Sequence, residues 1–460
     1  MIGADNALDL LSTVVVESAA DTDAMDALLS ATERHFVRFG CSTVLQSSST
    51  RDPKVTFRAV VAGRVAEAST SDLGLSGLRA ARDRAVALAR AASSALAAPP
   101  ELPAKDGCAE VIDVRGAYDP ETAALSTTAA AGPLGRAFQR ADRDHVTLAG
   151  RHVTGSRERA LVNSLGLRRY FRSTVADVKI FATDQRASGY CGNVATSASS
   201  LDLDRYVESA VQKCVGSRDA VSLAAGRYDV ILEPEAVAEL LEWLSMIGFT
   251  PRSLEDGTSF LHGRLGTAVT GDRVTIYDDG WCESGVGLPA PFDREGVLKR
   301  KVVLIEDGIG RQVVHDSASA RRMGCQSTGH SVSRDEGSDS GVSPGNLVFA
   351  AGADSVDDLL SRVERGLWVT SFHYVNGLLD PRRAVMTGLT RHGTFQIEDG
   401  RLARGVENLR FTDSILEAFG RIDGVSRAVQ AIPTWWSYLG ANVAPTLLIR
   451  GLAFTGQTTE

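Results

Sequence analysis

Zinc held on a helix takes two histidines about one turn apart plus a third ligand from elsewhere in the chain. The eight histidines are His35, His145, His152, His262, His315, His330, His373 and His392, and no two are close enough for that arrangement. A site gathered from distant residues, such as His262, Cys282 and His315, stays open on spacing alone. The six cysteines, Cys41, Cys108, Cys191, Cys214, Cys282 and Cys325, include no CxxC pair. A chain of 460 residues needs no staples, so these read as reduced thiols filling small spaces.

Other chemistry is thinly signposted. GxSxG is absent, and neither GxGxxG nor a Walker loop follows a strand pattern. GVGLPAPF (285–292) leads its glycines into prolines instead of a helix, which argues against a phosphate cradle. Carboxylates gather in DDGWCESG (278–285) and FDREG (292–296), where solvated turns or backbone caps are the simpler reading than acid–base work. RERA (157–160) reads as an exposed helix face or loop on the same reasoning. Trp435 and Trp436, in PTWWSYLG (433–440), would either line a peptide groove or pack on a β core.

The elements that must position these residues fall into two halves. Residues 8–38 read as a helix, followed by a β-hairpin of Cys41–Gln46 and Val55–Ala66 turning at SSSTRDPK. A helix near 74–97 ends at AAPPELPAKDG, because paired prolines cannot continue it. A strand over Glu110–Val114, further helix–strand pairs, the alternating runs Arg168–Thr183 and Ala187–Ala198, and the amphipathic LDLDRYVESAVQKCVGS complete the first half. From Gly226 the pattern is β-rich, with strands in RVTIYDD, KRKVVLIEDG, LWVTSFHYVNG, GTFQIEDGRL and APTLLIRGLAFTG. Short helices are expected near 316–324, 355–365 and 412–421, and 327–346 reads as a mobile surface loop. The fold class is therefore α+β, with an N-terminal mixed α/β domain (1–221) and a C-terminal β-rich, barrel-like domain (222–460).

A hydrophobic fraction of 43% with 23% charged residues fits a globular chain and excludes a disordered one. The net charge of −8 leaves no electrostatic footprint for nucleic acid. No apolar run is long enough to span a membrane, and the acidic N-terminus lacks a signal peptide's positive region, so a cytoplasmic protein is expected. Arginine well above lysine, with abundant alanine, is a bias of GC-rich bacterial genomes.

Several segments, in order along nearly the whole chain, resemble the TldD/PmbA (modulator of DNA gyrase) family. They include GLSGLRAARDRAVALAR (74–90), LVNSLGL (161–167), AAGRYDVILEPEAVAELL (224–241) and DGTSFLHGRLG (256–266). LPAPFDREGVLKRKVVLIEDG (288–308), TGHSVSR (328–334), GTFQIEDGRLARGVENLRFTDSILEAF (393–419) and LGANVAPTLLIRGLAFTGQ (439–457) continue the series. The resemblance implies two kinds of subunit. The TldD type carries HExxxH on a helix after a strand-like LxP segment, and a late cysteine; these bind zinc, and the glutamate serves as general base. Here Glu242 and Ile247 stand at the histidine positions and Trp243 at the base. Shifting the register restores nothing, because no histidine lies between His152 and His262, and no cysteine follows Cys325.

The chain thus resembles the PmbA (TldE) type, which lacks the metal site. The helix keeps an apolar stripe at Val237, Leu240, Leu241, Leu244 and Ile247, so its structural role survives without the chemistry. The resemblance implies a catalytically inactive subunit with no cofactor of its own. It would form a heterodimer with a zinc-bearing TldD-like partner that cleaves unfolded or leader peptides, including in natural-product maturation. Trp435, Trp436 and His262 are candidate lining of the substrate chamber. Two alternatives stand beside this: a self-sufficient hydrolase using His262, Cys282, Asp293, Glu295 and His315, or a homodimeric peptide-binding protein.

Overall fold

The computed structural model describes residues 2–18, 20–93, 101–333, 341–433 and 440–457. The chain opens with α1 (Ala4–Val16), whose Leu8, Leu11, Val14 and Val15 are buried at helical spacing. It then becomes extended through β1 (Ala24–Gly40), β2 (Thr43–Val61) and β3 (Arg64–Thr70), joined as antiparallel neighbours. The helix expected over 8–38 therefore stops at Val16. AMDALLSA suits a helix locally, but strand pairing on both sides, to β2 and to residues 150–163, overrides that preference. SSSTRDPK is likewise not a turn: Ser47–Lys54 pair with Ser30–Val37 inside β2. The turns are tighter, at Cys41–Ser42 and Ala62–Gly63, where positive φ at both residues matches the twist of two-residue hairpins.

Next come α2 (Leu75–Ala91), α3 (Pro120–Ala124) and α4 (Ala131–Arg143). They are followed by β4 (Thr147–Asn163), β5 (Arg168–Thr183), β6 (Ser188–Ala195) and α5 (Leu203–Gly216). The strand expected over Glu110–Val114 is reduced to one bridge, Val111 to Tyr170. The first sheet is antiparallel in the order β3-β2-β1-β4-β5-β6. Strand alternation gives it two faces. One, through Met25, Ala27, Leu29, Val37 and Phe39 of β1, buries α1 and α2 at one end and α4 and α5 at the other. The opposite face carries Arg34, Arg157 and Asp177 and turns toward the second sheet.

That second sheet starts at β7 (Gly226–Leu232), followed by α6 (Pro234–Gly248), α7 (Pro251–Glu255), β8 (Ile276–Asp278), β9 (Val302–Glu306) and β10 (Ile309–Gly310). Then come α8 (Ser317–Arg322), β11 (Leu347–Phe349), α9 (Val356–Ser361), β12 (Arg365–Asp380) and β13 (Val385–Glu398). β14 (Arg401–Gly405), β15 (Leu409–Ser414), α10 (Ile415–Phe419), β16 (Ile422–Pro433) and β17 (Ala441–Gln457) end the described chain. β17, β15, β13, β12 and β7 pair in that order, and β7 pairs back to β17, closing a near-barrel ring. The fold is α+β, an antiparallel sheet with helices followed by a mixed, barrel-like sheet.

Helix α6 packs against β12 and β17. Val237, Leu240, Leu241, Leu244 and Ile247 are all buried, as their spacing requires, each contributing roughly 1.5–3 kcal/mol of transfer free energy. Gly248 closes the helix where a Cβ would stand 2.0 Å from the Phe260 ring, so no larger residue fits. Among the described residues, no helix is long and apolar enough to cross a membrane.

Candidate functional site

Between the two sheets lies a cavity of about 480 Å³. Its floor is the helix-free side of the alternation just described: Arg34 from β1, Arg151 and Arg157 from β4, Asp177 and Lys179 from β5, and Tyr190 from β6. Its other wall is Glu235, in the first turn of α6, with Phe372 and His373 of β12 and His392 of β13. RERA therefore sits in the middle of β4 and not on an exposed helix or loop, and its residues alternate. Arg157 faces the cavity. Glu158, on the other face, accepts the Ile2 and Gly3 N–H groups at 2.8 and 2.7 Å and the Tyr170 hydroxyl at 2.8 Å, tying down the start of α1. Arg159 lies over the Phe292 ring at 5.6 Å.

The cavity's polar groups are incompletely matched. Arg151 pairs with Asp177 at 2.6 Å. Asp177 Oδ1 is buried with no hydrogen-bond partner among the described residues, and the Tyr190 hydroxyl and the Glu235 carboxyl are close neighbours that interact with each other. Burial raises the Glu235 carboxyl above its ordinary range, with Lys179 pulling the other way. Burial, with Glu235 close by, holds the Tyr190 phenol neutral. His392 is brought down to about 4 by burial and by Arg391 and His373. Arg157 falls to about 10, first through burial and then through repulsion from Arg34. Glu233, two residues before Glu235, makes the contrast clear. It accepts from Lys213 Nζ at 2.7 Å, Trp368 Nε1 at 2.5 Å and Thr370 Oγ1 at 3.0 Å.

The helix positions assigned to a metal motif lie elsewhere. Glu242 and Ile247 are buried among the packed residues of α6, and Trp243 lies against Gly377, so close that a Cβ there would stand 2.7 Å from the indole. None of the three lines the cavity. An aliphatic side chain has no lone pair for a cation and an indole is no base, so this donor set does not fit zinc. Among the described residues, no group of three or more His, Cys, Asp or Glu side chains is placed to hold a metal ion.

The other candidates disperse. His262 is exposed after α7, its Nδ1 2.9 Å from the Leu254 carbonyl oxygen, and does not line the cavity. Trp435 and Trp436 lie outside the described residues, between Pro433 and Gly440, which do line it. Cys282 borders a more open cleft of about 900 Å³, its thiol pushed up to about 12 by burial and by Asp279 and Asp278, so no thiolate is available. His315 is buried, with Nδ1 3.3 Å from Ser319 Oγ. Of the five residues a self-sufficient hydrolase would use, only Asp293 and Glu295 are hydrogen-bonded to each other.

Of the clustered acids, Asp278, Asp279, Asp293 and Glu295 are buried, and Glu283 alone is exposed. Asp293 accepts the N–H groups of Glu295, Val297 and Ser331 at 2.9–3.0 Å, and burial with Glu295 alongside pushes its carboxyl up to about 7. Arg294 reaches Asp26 at 2.6 Å and Glu67 at 3.2 Å, while Arg58 holds the other Asp26 oxygen at 2.6 Å and lies 3.8 Å from Glu295. Asp278 accepts from Gly345 and Asn346 N–H at 2.8 and 2.7 Å and from His330 Nε2 at 2.8 Å. Burial works against its charge, yet His330 and Lys299 hold it well below the usual carboxylate range. The His330–Asp278 pair, with Thr328 Oγ1 2.9 Å from Nδ1, has the residue types of a nucleophile–base–acid chain. Both members are wholly inaccessible, and Thr328 is itself bound to His315, so the set acts as a clasp. It also corrects the surface-loop reading of 327–346: Thr328, His330, Ser331 and Asn346 are buried, and 334–340 lie outside the described residues.

Residues 225–456 match the family model described as the PmbA/TldA metallopeptidase C-terminal domain. A metalloprotease of Methanothermobacter thermautotrophicus is 25% identical over 226 residues, 49% of this chain and 48% of that protein. The metalloprotease TldD homolog of Haemophilus influenzae is 27% identical over 221 residues, 48% of this chain and 45% of that protein. The aligned stretches thus span less than half the length of these relatives. TldE from Thermococcus kodakarensis superposes with a TM-score of 0.85 at 20% identity, covering 97% of this chain and 100% of its own. That likeness is one of fold.

Proposed function

Since the chain belongs to the PmbA/TldA metallopeptidase family, we propose that it is a non-catalytic, TldE-like subunit of a two-subunit peptidase. In this reading a TldD-like partner bearing HExxxH supplies the zinc and cleaves unfolded or leader peptides. This chain supplies a wall of the chamber that receives them, in the cytoplasm. One observation carries the proposal. The helix that would hold the metal offers Glu242, Trp243 and Ile247, turned into packing, and the sequence has no histidine between His152 and His262 to replace them. The fold shared with TldE and the cavity between the sheets support it.

Extended peptides suit such a chamber because only an unfolded chain offers its backbone groups for strand-like pairing. The test is co-expression with the HExxxH-bearing relative from the same genome. A stable complex that cleaves an unfolded peptide, when this chain alone does not, is the expected result. Proteolysis by this chain alone would overturn the reading. A homodimer that binds peptides without cutting, and that ignores the relative, would favour the peptide-binding alternative.

A further inference from the structure

The cavity holds more positive charge than its own acids neutralise. Arg157 and Arg34 sit diagonally on neighbouring strands, since Thr32 pairs with Arg157 and Arg34 with Gly155. Their guanidinium groups are near enough to repel each other. Among the described residues neither has an ion-pair partner; the nearby carboxylate of Asp177 is taken by Arg151. Gly155 leaves the floor bare between the two arginines. A Cβ there would stand 2.0 Å from the Glu33 carbonyl oxygen, so the position has room for glycine only. Two adjacent unpaired guanidiniums, one of them inside a cavity, form a receptor for an anion, and carboxylate matches their fork geometry.

The neighbours narrow the anion further. Asp177 borders the same space, and its charge disfavours a phosphate dianion more than a monoanion. Asp177 Oδ1 is a buried acceptor lacking a donor among the described residues, and the Tyr190 hydroxyl, beside Glu235, is a donor on the same lining. A peptide backbone supplies both kinds of group. Phe36, Phe181, Leu288 and Phe372 offer apolar contact, and about 480 Å³ is the size of a small-ligand site.

We propose that this cavity binds the C-terminal carboxylate of a short peptide, with Arg157 as its inner anchor and Arg34 as its outer one. The proposal rests on the peptide-handling reading above and names the part of the peptide this chain would grip. It concerns binding by the isolated full chain, so its failure would leave complex formation with the partner untouched.

The experiment is calorimetric titration of the purified chain with three probes of one apolar sequence. They are N-acetyl-Ala-Val-Leu as the free acid, the same peptide as its C-terminal amide, and an amide with Asp in place of the first residue. Inorganic phosphate is a fourth probe. The free acid should bind about tenfold or more tighter than the plain amide, the scale of one charge-assisted hydrogen-bonded pair. An Asp-containing amide that equals the free acid would identify any peptide carboxylate as the ligand and overturn the terminal assignment. Arg157→Met should abolish the preference for the acid. Arg34→Gln, an exposed position safe for folding, should reduce it severalfold and serves if the first variant does not fold. Equal binding of acid and amide, no binding by any peptide, or phosphate binding more tightly than the acid would each defeat the proposal.

Discussion

Two charged junctions join the first sheet to the second half of the chain, and they are built on opposite plans. At the first, Asp26 lies between Arg58 and Arg294, and Glu295 faces Arg58, so each buried charge has an opposite neighbour. At the second, the cavity, Arg157 and Arg34 repel each other and neither has an ion-pair partner among the described residues, the Asp177 carboxylate being taken by Arg151. A closed network holds the sheets in place, since breaking one member strands the others out of water. An open one is a cost to the folded chain unless something binds there. The first junction is thus architecture and the second is a site.

This contrast sets the size of each substitution's effect. Asp26→Ala leaves two buried arginines without their shared partner and should destabilise by about 3–5 kcal/mol in urea unfolding. Arg157→Met removes a cation that has no ion-pair partner among the described residues, and stability should stay within about 1 kcal/mol of the parent or rise. If both variants lose comparable stability, the cavity is a structural junction like the other.

The two regions should also respond oppositely to pH. His392, on the cavity wall, stays neutral in the fold down to about 4, whereas the unfolded chain takes up a proton below about 6.5. Its contribution is present above that value and is lost as pH falls from about 6.5 to 4. Asp293, at the closed junction, keeps its proton up to about 7 in the fold, whereas the unfolded chain releases it near 3.8. Its contribution is complete below 3.8 and is lost as pH rises toward 7. His392→Asn should flatten only the first trend and Asp293→Asn only the second, read as unfolding midpoints across about pH 4–8. If each variant keeps the parent's slope, the assigned environments are wrong. The smallest effect expected is in Arg34→Gln, which should leave stability unchanged because the residue is exposed.

Legibility in the sequence follows how local the cause is. The buried stripe of α6 and the alternation of β5 and β6 depend on spacing alone and are readable. Residues 24–40 are not, because their strand state comes from partners distant in the chain. RERA misleads for a physical reason. A strand that carries arginines on a face shared with a cavity looks like a solvated segment, and only its two-residue alternation hints otherwise. Glu235 escapes a reading of the sequence because an acid in a helix's first turn is already explained by the helix dipole. The clustered acids of FDREG read as backbone caps, which Asp293 is, but their burial depends on contacts with the first sheet.

The central claim is that this chain shapes a peptidase chamber without holding its metal. Zinc content per chain, measured by mass spectrometry on the isolated protein and on its complex with the HExxxH-bearing relative, tests it most directly. No stoichiometric zinc on the isolated chain and one ion per heterodimer is the predicted result. One tightly held zinc per isolated chain, lost together with peptidase activity on chelation, would contradict it.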